Sequence, residues 1–200
     1  MRLLGLDKDC FSSWWAKLPE GSTLVVQPKI EGYAIGLRYK YGQLVEAYSR
    51  EDCEIIENIR IINAIPLTID DSLKAEVELE GVLFSSTSSS KILIEQLQSN
   101  SISKIENNTS LLFKAFQIFC SNSDELSDLT KLQNWGFEVP ITLRTDDPKQ
   151  VKRWHSQWIK NELFANLPTN GIVAKCNSSL TKNILGVSSS SPNWALALTR

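Results

Sequence analysis

Residues 33–50 hold two stretches, YAIGLRY and QLVEAYSR, whose apolar residues alternate and whose join, KYG, puts Gly42 at a tight turn. Such a pair is a β-hairpin, so the sheet that contains it is antiparallel at that point. Further strands are predicted in STLVVQPK (22–29), where Pro28 removes a ladder donor just before Lys29, and in LKAEVELEGVLF (73–84), where Leu73, Ala75, Val77 and Leu79 share a face. SLLFKAFQIFC (110–120) reads as the most strongly buried strand, and GIVAKCN and WALALTR close the chain as strands. Between them lie helical patterns. Asp7 is placed to cap a short helix with Phe11, Trp14, Trp15 and Leu18 on one face, and Ile55, Ile59 and Ile62 suggest a helix ending before Pro66. Another passes through Ile92 and Leu97, and a fourth covers DELSDLTKLQNWGF. In DPKQVKRWHSQWIKNELF, Pro148 suits the first helical position, and Val151, Trp154, Trp158 and Ile159 form the apolar stripe. Strands and helices that follow one another without strict alternation indicate an α+β fold, expected to occupy residues 1–200 as one domain.

Composition narrows the functional classes. The chain has 200 residues, 42% of them hydrophobic and 22% charged, as in an ordinary globular protein, and a formal net charge of -2. That balance argues against strong, autonomous binding to nucleic acid, whose affinity comes mainly from cations on phosphates. Cys10, Cys53, Cys120 and Cys176 are scattered, no two form a CxxC pair, and His155 is the single histidine. A structural zinc site is not expected; the pattern fits reduced thiols in the cytoplasm. The start, MRLLGLDKDC, is charged too early for a signal peptide, and no apolar run approaches membrane-spanning length. The expectation is a soluble, cytoplasmic protein without a membrane partner.

The stretch VVQPKIEGYAIG carries the one arrangement with a clear mechanism. A lysine attacks phosphorus only when its amine is unprotonated, and burial or neighbouring cations supply that condition. Glu31, two residues after Lys29, is placed to orient the lysine or a ribose, and Gly32 would let the backbone approach a nucleotide closely. KIEG alone reads first as a strand end followed by a turn. His155 adjoins an apolar stripe with no nucleophile suggested, so packing or a surface role is the expected one. Most of the six tryptophans read as core. Of the adjacent Trp14 and Trp15, only one can face a single core. KQVKR (149–153) reads as a solvated helix face.

The company kept by Lys29 changes its reading. VQPKIEGYAIGLRYKYGQLVEAYSR followed by ENIRIINAIPL resembles the adenylation domain of NAD-dependent DNA ligases, in which VEPKIDG-x-A-x-x-L-x-Y-x-x-G-x-L-x-x-A-x-T-R precedes N-x-R-T-I-x-x-I-P. VELEGVLF is similar to the family's LEVRGEVF, LLFKAFQI to its strand after the central helix, and LQNWGFEVP to K-x-W-G-F-x-V. LPTNGIVAKCNS is similar to LPYEIDGVVIKVN, and SSSPNWALAL to T-x-x-A-P-R-W-A-I-A-Y-K. The resemblance implies the nucleotidyltransferase fold, an ATP-grasp-like arrangement in which antiparallel sheets flank a nucleotide cleft. It implies NAD, or ATP or AMP, as the nucleotide, Mg2+ if the site is active, and a role in DNA replication or repair. Lys29 corresponds to the nucleophile that takes AMP from NAD, and Glu31 to the usual aspartate. Gln27 stands where a glutamate contacts adenine. Gly32, Arg50 and Lys175 match nucleotide-binding positions, Glu80 lies near another, and Arg200 falls at the last lysine after a one-residue slip; without the slip Thr199 does.

Departures from the pattern point to a weakened or lost activity. Glu31 carries its charge one methylene further, and misplacements of about an ångström can cost ~10²-fold. Val82 replaces the glutamate of GEVF, and Glu80, about 6.6 Å away along the same strand face, compensates only in part. SSTSSSKILIEQL puts Glu95 at a family arginine, and SREDCE replaces a glycine-rich loop. Counterparts of the family's nicotinamide-binding lobe, barrel, zinc, helix-hairpin-helix and terminal partner-binding modules are not seen in these residues, so nick sealing on DNA or RNA is expected only with a partner protein. Two readings stand: an enzyme that transfers AMP to Lys29, and a ligase-derived pseudoenzyme that binds a nucleotide, a DNA end or a protein.

Overall fold

The computed structural model describes residues 3, 5–6, 10–50, 54–70, 76–85, 111–188 and 191–200. In chain order its elements are α1 (Phe11–Trp15), β1 (Leu24–Ile30), β2 (Tyr33–Lys40), β3 (Gln43–Ser49), α2 (Ile56–Arg60), β4 (Glu76–Ser85) and β5 (Leu111–Ile118). Then come α3 (Glu125–Asn134), β6 (Leu143–Thr145), α4 (Pro148–Ile159), β7 (Thr169–Cys176), α5 (Ser179–Leu185) and β8 (Ala195–Leu198). They form two compact units. The first comprises Met1–Leu3, Gly32–Cys120 and Asp128–Val139, the second Leu4–Glu31, Ser121–Ser127 and Pro140–Arg200.

The first unit is built on an antiparallel sheet of order β3-β2-β4-β5. The hairpin read at 33–50 is its β2–β3 pair, joined at Tyr41–Gly42. Alternation does the sorting. Ile35, Leu37 and Tyr39 of β2 lie opposite Gly81, Leu79 and Val77 of β4 on a buried face. There the rings of Tyr39 and Phe113 meet Phe137 at 6.1 and 6.0 Å, and the Tyr39 hydroxyl donates to the Pro66 carbonyl at 2.6 Å, so its polar end is not stranded. On the other face Arg38 forms ion pairs with Glu46, Glu76 and Glu78 at 2.7, 3.1 and 2.7 Å. The most buried strand is β4, flanked on both sides, and not SLLFKAFQIFC as the sequence suggested. As β5 that segment sits at the sheet edge and alternates buried with half-buried residues. Its long apolar run concealed a one-sided strand.

The second unit carries an antiparallel sheet of order β6-β1-β7-β8. Leu24 and Val26 of β1, Ile172 and Ala174 of β7 and Leu196 of β8 form one face, against which Phe11 and Trp14 of α1 and Val151 and Trp158 of α4 pack. Burying side chains of this size contributes on the order of 1.5–3 kcal/mol each. Pro148 opens the first turn of α4 as the sequence predicts, and the structure adds Asp147 as its N-cap, accepting from the Lys149 N–H at 2.8 Å. Ile159 departs from the expected stripe and is 42% exposed, because one residue past Trp158 the helix has turned about 100° towards solvent. Trp14 is buried and its indole N–H donates to the Asn193 carbonyl at 2.9 Å, while Trp15 is half-buried.

The N-cap of α1 is Cys10, which makes no side-chain cap bond; the proposed cap Asp7 lies outside the described residues, as do Cys53, Leu73, Ala75, Glu95 and the helix read through Ile92 and Leu97. Two elements went unread, β6 and α5. For α5 the signal was present: the Ser178 side chain caps it by accepting from the Thr181 N–H, and Gly186 follows its end with φ 64°. Among the described residues no helix is long and apolar enough to cross a membrane.

Candidate functional site

In the second unit the sheet face turned away from α1 and α4 collects the polar side chains. Register assigns them there: Gln27 lies opposite Val173 and Val25 opposite Lys175, one step out of phase with the Leu24–Cys176 and Val26–Ala174 pairs. Lys29 comes where that register slips. Pro28 pairs with Ile172 but Ile30 pairs with Thr169, so Asn170 and Gly171 together oppose the single residue Lys29. A bulge of this kind re-aims side chains. Here the Lys29 ammonium donates to Asn170 Oδ1 at 2.6 Å. Glycine is required at 171 because a β-carbon there would lie 2.6 Å from the Leu198 carbonyl oxygen. The sequence reading missed Asn170. Its signal was available, since the family pattern LPYEIDGVVIKVN has an aspartate at the position before that glycine.

Gln27 is buried, and its Nε2 donates to Thr142 Oγ1 at 3.0 Å. The Glu31 side chain is exposed, while its backbone N–H donates to the Pro168 carbonyl at 2.7 Å. In the first unit, Gly32 meets β4: a β-carbon would sit 2.3 Å from the Leu83 carbonyl oxygen and 2.7 Å from Val82 Cγ2. The close approach that demands glycine at 32 is thus to a neighbouring strand, a reason distinct from the nucleotide contact expected. Arg50 is exposed immediately after β3. Glu80 is buried on β4 opposite Gly36 and Gln117, on the same side of the strand as Val82, which is also buried.

Lys175 makes the most consequential contact in the second unit. Its amine donates to Glu125 Oε1 at 2.6 Å, with both side chains almost wholly buried. The other carboxylate oxygen of Glu125 pairs with Lys182, whose ammonium also lies 4.9 Å from the centre of the Trp194 ring. Burial alone would raise the Glu125 pKa; the charges and hydrogen bonds of Lys175 and Lys182 outweigh it and hold the carboxyl below its usual range. The chain around Glu125 is held in place too, its N–H donating to the Asn177 carbonyl and the Leu126 N–H to Asn177 Oδ1 at 2.9 and 3.1 Å.

Arg200 closes over α4, its guanidinium 5.6 Å from the Trp158 ring centre and one nitrogen 3.4 Å from the Ile159 carbonyl. His155 stacks on Trp158 with ring centres 5.8 Å apart and its Nε2 lies 3.1 Å from the Thr199 carbonyl, which is the packing role expected of it. In the second unit, then, Lys29 and Asn170 are in contact, Gln27 and Lys175 share a sheet face, and Arg200 is occupied at the end of α4. Among the described residues no group of three or more His, Cys, Asp or Glu side chains is placed to hold a metal ion, and the Val82 side chain supplies no oxygen.

Comparison with known proteins bears on this geometry. Residues 7–110 match the family model of the NAD-dependent DNA ligase adenylation domain. The chain is 29% identical over 196 residues to a DNA ligase of Mycoplasma genitalium, covering 86% of this chain and 29% of that protein. It is 27% identical over 212 residues to a DNA ligase of Bartonella tribocorum, covering 90% and 29% respectively. It therefore spans under a third of the length of these relatives. Among solved structures, an archaeal ATP-dependent RNA ligase aligns with 99% of this chain and 48% of its own at a TM-score of 0.67 and 10% identity. Mycobacterial DNA ligase D, complexed with ATP and MES, aligns with 98% of this chain and 60% of its own at a TM-score of 0.54 and 14% identity. Those likenesses extend the nucleotidyltransferase fold past residue 110, to the β7 and β8 strands on which Asn170 and Lys175 depend. With an α+β architecture of two antiparallel sheets and a family match over just more than half its length, this chain belongs to the NAD-dependent DNA ligase adenylation domain family.

Proposed function

We propose that this chain is an adenine-nucleotide-binding adenylation domain in which Lys29 accepts AMP, slowly. In the step, the Lys29 amine forms a nitrogen–phosphorus bond to the α-phosphorus, and the bond from that phosphorus to the leaving oxygen breaks. Nicotinamide mononucleotide leaves if NAD is the donor, pyrophosphate if it is ATP, and the amine proton passes to solvent. The observation that carries this reading is the 2.6 Å contact of Lys29 with Asn170 Oδ1. The acceptor in this contact is a neutral amide, which aims the amine and adds no negative charge of its own beside it. Glu31, Gln27, Gly32, Arg50, Glu80, Lys175 and Arg200 are assigned to nucleotide binding and positioning from the family pattern. The slow rate follows from Glu31 and Val82, which alter two of the pattern's carboxylates. Mg2+ would arrive with the nucleotide phosphates. The thiols and composition suit the cytoplasm, and nick sealing in replication or repair would need further modules or a partner chain to hold the DNA or RNA.

A second reading, binding without chemistry, is favoured by one observation: the Lys175 ammonium is engaged by a buried carboxylate. Intact-mass spectrometry after incubation with NAD, or with ATP, and Mg2+ separates the two. An AMP adduct that is absent in Lys29→Ala supports the enzyme. No adduct from either donor at millimolar concentration, with nucleotide binding retained, leaves the pseudoenzyme.

A further inference from the structure

Gln27 and Thr142 are cross-strand neighbours: continuing the Val26–Leu143 and Val25–Arg144 pairs by one residue sets Thr142 opposite Gln27. Three groups then form a directed chain. The Thr142 hydroxyl donates to the Pro140 carbonyl at 2.9 Å, and Gln27 Nε2 donates to the Thr142 oxygen at 3.0 Å. The direction is fixed by chemistry. Two oxygens 2.9 Å apart need a proton between them, the Pro140 carbonyl has none, and proline has no N–H to offer instead. Thr142 has a single hydroxyl proton, so towards Gln27 it can only accept, and the group that faces it must be the amide nitrogen. Turning the Gln27 amide over would set its oxygen against a hydroxyl whose proton is already committed. Gln27 Oε1, which has no hydrogen-bond partner among the described residues, is the end left to meet a ligand.

We propose that Thr142 is a positioning residue that sets the base preference of the nucleotide site, by forcing the Gln27 amide to present its oxygen. An acceptor there matches the exocyclic amine of adenine and opposes the carbonyl oxygen at the same position of guanine. The inference rests on the nucleotide reading of Gln27 given above and adds to it the residue that decides which end of the amide is shown. It also explains how an amide serves where the family carries a carboxylate. A carboxylate accepts at both oxygens in any orientation, whereas a glutamine is selective only if something holds it one way round.

The test compares binding of ATP and GTP by calorimetry in EDTA, where no transfer occurs, for the wild type, Thr142→Ser and Thr142→Val, each checked for its melting temperature. The wild type and Thr142→Ser are expected to prefer ATP. In Thr142→Val the amide is free to turn, and the ATP-over-GTP ratio is expected to fall roughly tenfold, the worth of about one hydrogen bond. Adding Gln27→Glu to Thr142→Val should restore the preference. A purely structural role for Thr142 would weaken both nucleotides together and leave the ratio unchanged, which overturns the proposal while the nucleotide reading stands. A wild type that binds both nucleotides equally overturns it as well. A wild type that binds neither defeats the nucleotide reading itself.

Discussion

Glu125 is one carboxylate between two lysines, and its removal is the sharpest test of how the second unit is held together. The side chains of Glu125, Lys175 and Lys182 are 3%, 5% and 13% exposed. In Glu125→Gln the shape is nearly kept, but two ammonium groups lose this counter-charge where little water reaches to replace it. Breaking a buried pair from one side costs about 3–5 kcal/mol, against typical whole-protein stabilities of roughly 5–15 kcal/mol. For a chain of this length each kcal/mol shifts the melting temperature by about 2–4 °C, so a fall of about 6–20 °C is expected. Lys182→Met should cost less, because Lys182 is the more exposed of the two lysines and Lys175 still neutralises the carboxylate.

Urea unfolding followed by tryptophan fluorescence measures this directly, with Trp194 beside Lys182 as a local reporter. The midpoint should fall without a change in slope, the sign that stability rather than compactness has altered. A triple replacement, Glu125→Leu with Lys175→Met and Lys182→Met, should be more stable than Glu125→Gln alone, since it removes the buried charges altogether. If Glu125→Gln costs less than about 1 kcal/mol, the value of an exposed pair, the network is solvated and the reasoning is wrong.

Three further outcomes follow from the same contacts. The Glu125 carboxyl is held below its unfolded value of 4.5, so the unfolded chain binds the extra proton and the stabilisation is present above that value; it is lost as pH falls through the folded pKa. The melting-temperature gap between wild type and Glu125→Gln should therefore narrow on acidification, and a gap that widens would contradict the assignment. Asn170→Asp should slow AMP labelling of Lys29 at neutral pH by roughly tenfold or more and move its pH profile to the alkaline side, because a carboxylate against the amine raises its pKa by about a unit or more; faster labelling at neutral pH would refute the role given to the neutral amide. Gly171→Ala should destabilise by about 1–3 kcal/mol in thermal melts, since its β-carbon would meet the Leu198 carbonyl oxygen at 2.6 Å. A neutral result there would mean that β8 yields.

What the sequence disclosed and what it hid divide along a physical line. Period and punctuation gave the β2–β3 hairpin, a helix between Ile55 and Pro66 (shorter in the structure, Ile56–Arg60), the start of α4 at Pro148 and the final strands, because each depends on residues close together in the chain. The depth of burial of β5 was misread, since an apolar run looks the same at a sheet edge and at its centre. Lys29, Gln27 and Lys175 could be singled out by matching the ligase pattern. Of their partners only Asn170 falls on a position of that pattern; Asn170, Thr142 and Glu125 lie 141, 115 and 50 residues away, the first two brought in by sheet register and the third by the start of α3.

Those partners change what the recognised residues can do. Asn170 replaces an acid of the pattern with an amide beside the lysine, and Gln27 replaces another on the same sheet face. Replacing two acids by amides removes negative charge from this part of the sheet, which on the reading proposed above eases the approach of a phosphate and to that extent offsets what Glu31 and Val82 remove. An amide, however, is acceptor and donor at once, so each substitution needs a neighbour that decides which end is shown. For Gln27 that neighbour is Thr142, and for Asn170 it is Lys29 itself, whose ammonium can only donate. Each amide is therefore defined by its partner's hydrogen-bonding polarity, and a change at either partner should alter chemistry or selectivity without touching the residue that the pattern names.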